Sequence, residues 1–184
     1  MLKGNMLIAH GGGPTPVINS SLLGAVREAK LHEEIETIYG ARFGAEGILA
    51  GDLMDLGQFS QEQLDLLART PASALGSCRR KLTDADYPAV LECFKKFNIR
   101  YFFYNGGNDS MDTCHKVYQL ACQSGYELRV IGIPKTIDND LAVTDHCPGF
   151  GSAAKYAAVS ALELAFDASA LPIHVVVMEL MGRN

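Results

Sequence analysis

The sequence predicts an α/β fold, a Rossmann-like parallel sheet with helices on both faces. Apolar runs of strand length alternate with segments whose apolar residues recur at helical spacing. This alternation is typical of parallel sheets with right-handed crossovers. Glycine-rich loops follow two of the predicted strands directly, and a polar loop follows a third. Because ligands bind at the carboxyl ends of the strands in such folds, we expect the chemistry of this chain in these three loops.

Composition and charge exclude several classes of protein. Of the 184 residues 48% are hydrophobic and 20% are charged, and the length fits one globular α/β domain or one domain with the start of a second. The formal net charge of −5 disfavours nucleic acid as a partner, because a phosphate polyanion binds to basic surfaces. No apolar run is long enough for a transmembrane helix, and the start of the chain lacks the layout of a signal peptide.

The five cysteines are odd in number and lack CxxC spacing. They support neither a disulfide framework nor a zinc site. We therefore expect a reduced, cytoplasmic protein that is not bound to a membrane.

The first glycine loop is predicted near the amino terminus. Residues 6–10 form a short apolar strand, the sequence Gly-Gly-Gly-Pro-Thr-Pro follows at 11–16, and a helix is predicted over about 19–30. This order directs backbone N–H groups and a helix amino terminus towards an anion, and glycine lets a phosphate approach the main chain. A tight turn that binds nothing explains the motif alone equally well.

The next segment is predicted to contain a strand at 37–39, a region rich in loops, and a helix. Ser60 and Gln63 have the spacing of a capping box, so this helix should extend to about residue 68.

A basic loop precedes a further helix. Arg79, Arg80 and Lys81 suit a phosphate, although solvated surface charge is the simpler explanation of the local sequence. The helix is predicted to begin at 83–86 and to present an apolar face.

The second glycine loop, 105–110, follows a continuous aromatic strand at 101–104 that we expect to be buried on both faces. A helix is predicted from this loop to about residue 122. The chain therefore repeats the order of strand, glycine loop and helix.

The third loop carries the most functional groups. A buried strand is predicted at 129–133, and the sequence Pro-Lys-Thr-Ile-Asp-Asn-Asp follows at 134–140. One ammonium, two carboxylates, a hydroxyl and an amide suit a polar, multiply charged ligand. An Asx-rich turn that caps the next element explains the loop about as well.

The last part of the chain is predicted to contain an Ala-rich helix over about 149–168 and a buried strand at 172–178. The sequence stops shortly after that strand, where an active-site loop would begin in this architecture. We therefore expect the chain to be part of a longer protein.

Taken together, the loops resemble the phosphofructokinase family, and more closely its diphosphate-dependent branch. The resemblance covers essentially the whole chain and rests on four motifs in order, at 11–19, 106–110, 134–140 and 181–183. It implies the phosphofructokinase fold, with 1–184 as the amino-terminal donor-binding domain and the carboxy-terminal part of the sugar-phosphate domain missing. It also implies reversible transfer of a phosphoryl group from inorganic diphosphate to the 1-hydroxyl of fructose 6-phosphate.

The resemblance implies roles for single residues. Asp138 would be the general base that takes the hydroxyl proton, and Arg183 would neutralise charge in the transition state. Gly12 would offer a backbone N–H to the donor phosphate. The implied substrate-binding residues are Gly12, Arg79 (or less favourably Arg80), Thr136, Ile137, Asp138, Met181, Gly182 and Arg183.

Two further residues would choose the donor. ATP-using relatives have glycine where this chain has Asp109 and Lys135. The carboxylate of Asp109 would repel the α-phosphate of a nucleotide, while Lys135 would stabilise the charge on a leaving phosphate. Both residues therefore indicate diphosphate.

The resemblance also implies Mg²⁺ as cofactor. Many relatives carry an aspartate as metal ligand where this chain has Asn108, whose amide oxygen is an uncharged ligand. Asp109, Asp138 or Asp140 could share that role.

Three alternatives remain at this stage. They are an ATP-dependent phosphofructokinase, a non-catalytic regulatory paralogue, and a nicotinamide-binding Rossmann domain. The last is disfavoured because this sequence lacks the GxGxxG fingerprint of such domains. The resemblance further implies a homo-oligomer, a dimer or a tetramer.

Overall fold

The computed structural model describes residues 2–15 and 17–182. The chain forms two compact units, Met1–Lys135 and Thr136–Asn184. The first contains a five-stranded sheet and its helices, and the second contains a polar loop and one long helix.

The sheet of the first unit is mostly parallel, as predicted. Its strand order is β3-β2-β1-β4-β5, and only the short β3 runs antiparallel to its neighbour. The central position of β1 sets the carboxyl ends of β1, β4 and β5 side by side at one edge. The strands are β1 Gly4–His10, β2 Ile35–Ala41, β3 Leu53–Asp55, β4 Ile99–Gly106 and β5 Arg129–Pro134.

Helices cover both faces of this sheet, which confirms the predicted fold class. In β1, Met6 and Ile8 point to one face and Leu7 and Ala9 to the other, and each pair belongs to a separate apolar cluster. The helices are α1 Val17–Ala29, α2 Ala45–Ala50, α3 Gln61–Asp65 with a 3₁₀ turn Leu66–Arg69, α4 Tyr87–Lys96 and α5 Asn108–Gln123.

Most predicted elements are present, with differences at their ends. The capping box is confirmed, since the Ser60 hydroxyl accepts from the Gln63 N–H and the Gln63 side chain accepts from the Ser60 N–H. The helix that was predicted to begin at 83–86 begins at Tyr87. The Asp86 carboxylate accepts two hydrogen bonds from Thr83, so the residues before Tyr87 form a turn. The region predicted to be loop-rich contains α2 and β3, whose glycine-rich flanks hid them.

Strand β5 was predicted to be buried, and this was wrong. It is the last strand of the described sheet, and Ile131 is 52% exposed. A fully apolar strand sequence does not reveal whether a further layer covers it.

The second unit contains the predicted Ala-rich helix, α6 Phe150–Ala170. The strand predicted at 172–178 is absent from the described residues, and Val177 is 87% exposed. No described strand pairs with this apolar segment, and a strand needs a partner for its backbone groups. None of the helices in 2–15 and 17–182 combines the length and apolarity needed to cross a bilayer.

Candidate active site

The first unit brings the ends of three strands together. The Gly11 N–H donates to the Asn105 carbonyl at 2.8 Å, and the Lys135 N–H donates to the Gly106 carbonyl at 2.9 Å. The hydrogen bonding of β1, β4 and β5 therefore continues into the loops that follow them. The two glycine loops and Lys135 are neighbours at one edge of the sheet, as predicted.

Glycine is required where the two loops meet. A Cβ built on Gly106 would lie 2.1 Å from the Ser110 hydroxyl and 2.9 Å from the Gly11 carbonyl, so no side chain fits. Gly12 has a φ of +77°, a conformation that other residues rarely adopt. The two loops can therefore pack closely against each other only because glycine occupies these positions.

Lys135 is buried beneath the first glycine loop, with 6% of its surface exposed. Its Nζ donates to the Gly13 carbonyl at 2.5 Å, and a Cβ built on Gly12 would lie 3.5 Å from the same nitrogen. An ammonium group thus lies directly against the main chain at which the sequence predicts a donor phosphate.

Another loop, residues 70–79, lies against the first glycine loop. We call it the arginine loop. The Gly12 N–H donates to the Cys78 carbonyl at 3.2 Å, and the Ser77 hydroxyl donates to the Gly12 carbonyl at 2.7 Å. Arg79 is exposed, and its Nη2 would lie 3.2 Å from a Cβ built on Gly13. A phosphate that bound to the Gly12 N–H would therefore share or replace the bond to Cys78.

The two loops enclose a pocket of about 250 Å³, lined by Gly12, Ser77 and Arg79 among others. Arg80 instead pairs with Asp86 at 2.7 Å. The structure therefore favours Arg79 over Arg80 as the residue that faces a ligand.

Two buried polar side chains hold the arginine loop, and the sequence analysis missed both. Nδ1 of His10 lies 2.8 Å from the Ser73 hydroxyl. Asn19 donates to the Thr70 and Ala72 carbonyls and accepts from the Ala74 N–H. The only sequence signal was a polar residue at the end of an apolar strand and another on the apolar side of a predicted helix.

The second glycine loop presents its side chains differently. Asn108 and Asp109 occupy the first turn of α5 and are exposed. Oδ1 of Asp109 lies 3.6 Å from Nζ of Lys81. Within the described residues no group of three or more His, Cys, Asp or Glu side chains is arranged to hold a metal ion.

The second unit begins with the polar loop. The Thr136 hydroxyl accepts from the Asp138 N–H at 3.0 Å, and the Asn139 carboxamide binds the main chain at Asp145 and Cys147. Asn139 has a φ of +54°. The loop is thus a side-chain-bonded turn that leads into α6, and it holds the half-buried Asp138 and Asp140.

The fourth predicted motif is described only in part. Met181 and Gly182 lie outside any helix or strand, and Arg183 lies outside the described residues. The roles predicted for these residues and for Ile137 stay predictions.

The chain matches known proteins over its whole length. The family model of phosphofructokinase matches residues 5–184. Pyrophosphate–fructose 6-phosphate 1-phosphotransferases of Methylococcus capsulatus and Xanthomonas campestris are 47% and 48% identical over 100% of this chain. A crystal structure of a pyrophosphate-dependent phosphofructokinase from Nitrosospira multiformis is 49% identical over 91% of this chain, with a TM-score of 0.86.

These matches cover only part of each relative. The chain spans 46% of the two curated relatives and 42% of the crystallised one, a little under half of their length.

Proposed function

Because this chain belongs to the phosphofructokinase family, we propose that it takes part in reversible phosphoryl transfer from inorganic diphosphate to fructose 6-phosphate. The products are fructose 1,6-bisphosphate and phosphate, a step of glycolysis. In this proposal residues 1–184 are the amino-terminal donor-binding domain of a longer enzyme. The observation that carries it is the buried Lys135 ammonium against Gly12 and Gly13.

The position of Lys135 suits a diphosphate donor. Charge that develops on a leaving phosphate is stabilised more strongly by a buried, fixed cation than by a solvated one. Asp109 adds a carboxylate on the neighbouring loop, where it would repel the extra phosphate of a nucleotide. The Lys135 ammonium would attract either donor, whereas the Asp109 carboxylate would repel the larger nucleotide. Together the two side chains favour diphosphate over ATP.

Asp138 would take the proton of the 1-hydroxyl of the sugar. The hydroxyl oxygen then bonds to the nearer phosphorus of diphosphate, the bridging P–O bond breaks, and phosphate leaves. The bond from the Asp138 N–H to the Thr136 hydroxyl fixes the main chain at the base. Thr136, Ile137, Met181, Gly182 and Arg183 would hold the sugar phosphate, as the family resemblance implies.

Mg²⁺ would supply further neutralisation of the diphosphate charge. The exposed amide oxygen of Asn108 offers one uncharged ligand at the end of β4. Because Mg²⁺ keeps several waters and binds substrate phosphates readily, this single ligand fits an ion that arrives with diphosphate. Asp109, Asp138 or Asp140 could add a carboxylate.

We also propose that the protein acts in the cytoplasm and as a homo-oligomer. The five cysteines are unpaired thiols, which suits a reducing compartment. The oligomer rests on the family resemblance alone.

The proposal is tested by measuring phosphate release from diphosphate and from ATP with the complete protein. Diphosphate should be the preferred donor. Asp138→Asn keeps the shape of the side chain and removes the base, so kcat should fall about 100- to 10,000-fold with little change in KM. Asp145→Ala, an exposed carboxylate of the same loop, is the matched control and should be fully active. A preference for ATP, or near-normal turnover by Asp138→Asn, would contradict the proposal.

A further inference from the structure

The buried polar residues of the described chain are confined to one region. They are His10, Asn19, Asn105, Ser110 and Lys135. Each lies in or beside a glycine loop. Since burial of a polar group costs free energy unless it is hydrogen-bonded, this concentration indicates a polar network that holds the loops.

His10 is the last residue of β1 and is completely buried. The Ser73 hydroxyl donates to the Gly76 carbonyl at 2.8 Å, so its oxygen accepts from the His10 ring. The ring proton is therefore on Nδ1, and Nε2 carries a lone pair. Nε2 has no hydrogen-bond partner among the described residues.

We propose that His10 is a positioning residue of the donor site, which acts through Ser73 to fix the arginine loop against the first glycine loop. The path runs from the imidazole to Ser73 and Gly76, and then along the chain to Ser77 and Arg79. Ser77 contacts Gly12 directly. Movement at Ser73 therefore displaces Ser77 and the Arg79 guanidinium, which both line the pocket. This role rests on the proposed function and deepens it.

The surroundings keep the imidazole in the state that this bond needs. Burial is the main cause that lowers the pKa of His10 from 6.5 to about 4, and the positive charge of Lys135 is the second. A neutral ring with its proton on Nδ1 is the only form that both donates to Ser73 and adds no second cation beside Lys135. Burial, with a smaller contribution from the charge of Lys135, thus keeps the ring in the state that holds the loop.

The test compares His10→Leu with His10→Asn in the complete protein. Leucine fills the space without a donor, whereas the asparagine carboxamide places an N–H close to the position of Nδ1. His10→Leu should raise the KM for diphosphate about tenfold, the effect of one lost buried hydrogen bond. The KM for fructose 6-phosphate should change less than about twofold, and His10→Asn should recover most of the loss.

Two controls separate this role from general stabilisation. Asn5→Ala removes a hydrogen bond to the Phe97 carbonyl at the opposite end of β1, so it should lower the melting temperature and leave both KM values unchanged. Ser73→Ala removes this bond and also the bond to the Gly76 carbonyl, so it should raise the KM for diphosphate at least as much as His10→Leu. The double variant should be no worse than Ser73→Ala alone, because the bond to His10 is already lost there. Equal changes of both KM values, no recovery by His10→Asn, or full additivity would overturn the proposal.

A second measurement does not need activity. Cys78 lies in the arginine loop and is half-buried, whereas Cys122 is exposed at the end of α5. In His10→Leu the alkylation rate of Cys78 should rise several-fold relative to Cys122, while Asn5→Ala should leave the ratio unchanged. An unchanged ratio in His10→Leu overturns the positioning role. The wild-type protein could also lack diphosphate activity while the ratio rises in His10→Leu. That result would support the positioning of the loop and contradict the proposed function.

Discussion

The two glycine loops have the same local sequence pattern and opposite surroundings. The first lies over Lys135 and is bonded to the arginine loop through Gly12. The second begins α5 and presents Asn108 and Asp109 to solvent. The difference teaches that the first loop is held by contacts from two sides, whereas the second presents polar side chains to solvent. In the proposed function the first loop is the receptor for the donor phosphate.

Lys135 contacts both glycine loops, so its replacement should have the largest effect. Its N–H bonds to Gly106 in the second loop, and its ammonium bonds to Gly13 in the first. Lys135→Met keeps the backbone bond and removes the charge, so kcat/KM for diphosphate should fall about 100- to 1000-fold. Lys116→Met, at a half-buried lysine of α5 that pairs with Asp112 away from the loops, should have little effect. A loss of less than tenfold would show that the buried charge does not act on the donor.

Asparagines at the two loops should differ in their contribution to stability. Asn19→Ala leaves the groups at Thr70, Ala72 and Ala74 without their partner, so the free energy of unfolding should fall by about 1–3 kcal/mol. Asn108→Ala, at the exposed second loop, should change it by less than about 0.5 kcal/mol. Urea unfolding of both variants measures this contrast. Equal losses would remove the distinction between a fixed loop and an exposed one.

Donor choice should change at the second loop. In Asp109→Gly the ratio of kcat/KM for ATP to that for diphosphate should rise about tenfold or more, because a repulsive charge is removed. Lys135→Gly alone should reduce diphosphate activity and give ATP little, and the double variant should favour ATP most, with non-additive effects. Asp112→Ala on the same helix is the control. An unchanged ratio in Asp109→Gly would place donor choice elsewhere.

The smallest effect on activity is expected for a substitution at the proposed metal ligand, Asn108. Activity should require Mg²⁺, and Asn108→Asp should lower the Mg²⁺ concentration needed for half-maximal rate by about fivefold, the effect of one added charge in a solvated site. Full activity in excess chelator would contradict a metal requirement. An unchanged requirement in Asn108→Asp would show that residue 108 is not a ligand.

Much of the fold could be predicted because its signals are local. Apolar periodicity and glycines located β1, β4, β5 and the helices that follow the two glycine loops. The apolar segment 172–178 looked like a strand, but a strand depends on a partner that its own sequence does not contain. In the same way α2 was hidden by the glycines at its ends.

The candidate site could be predicted where a residue belongs to a motif, as Lys135 and Asp109 do. The supports could not, because their partners are distant in sequence. His10 and Ser73 are 63 positions apart, and Asn19 and Thr70 are 51 apart. Only the packing of the folded chain shows that these side chains serve the loop that carries Arg79.

The pairing of β1 with β4 also sets the order in which the site can form during folding. His10 and Asn105 are register partners, and the chain between them contains two other strands and four helices. Closure of a long loop costs entropy before any contact is gained. Contact between the two glycine loops therefore closes a long loop, and it requires that β4 has already been synthesised. On the ribosome, the proposed donor site cannot form until β4 and Lys135 have left the exit tunnel, because both contribute to it.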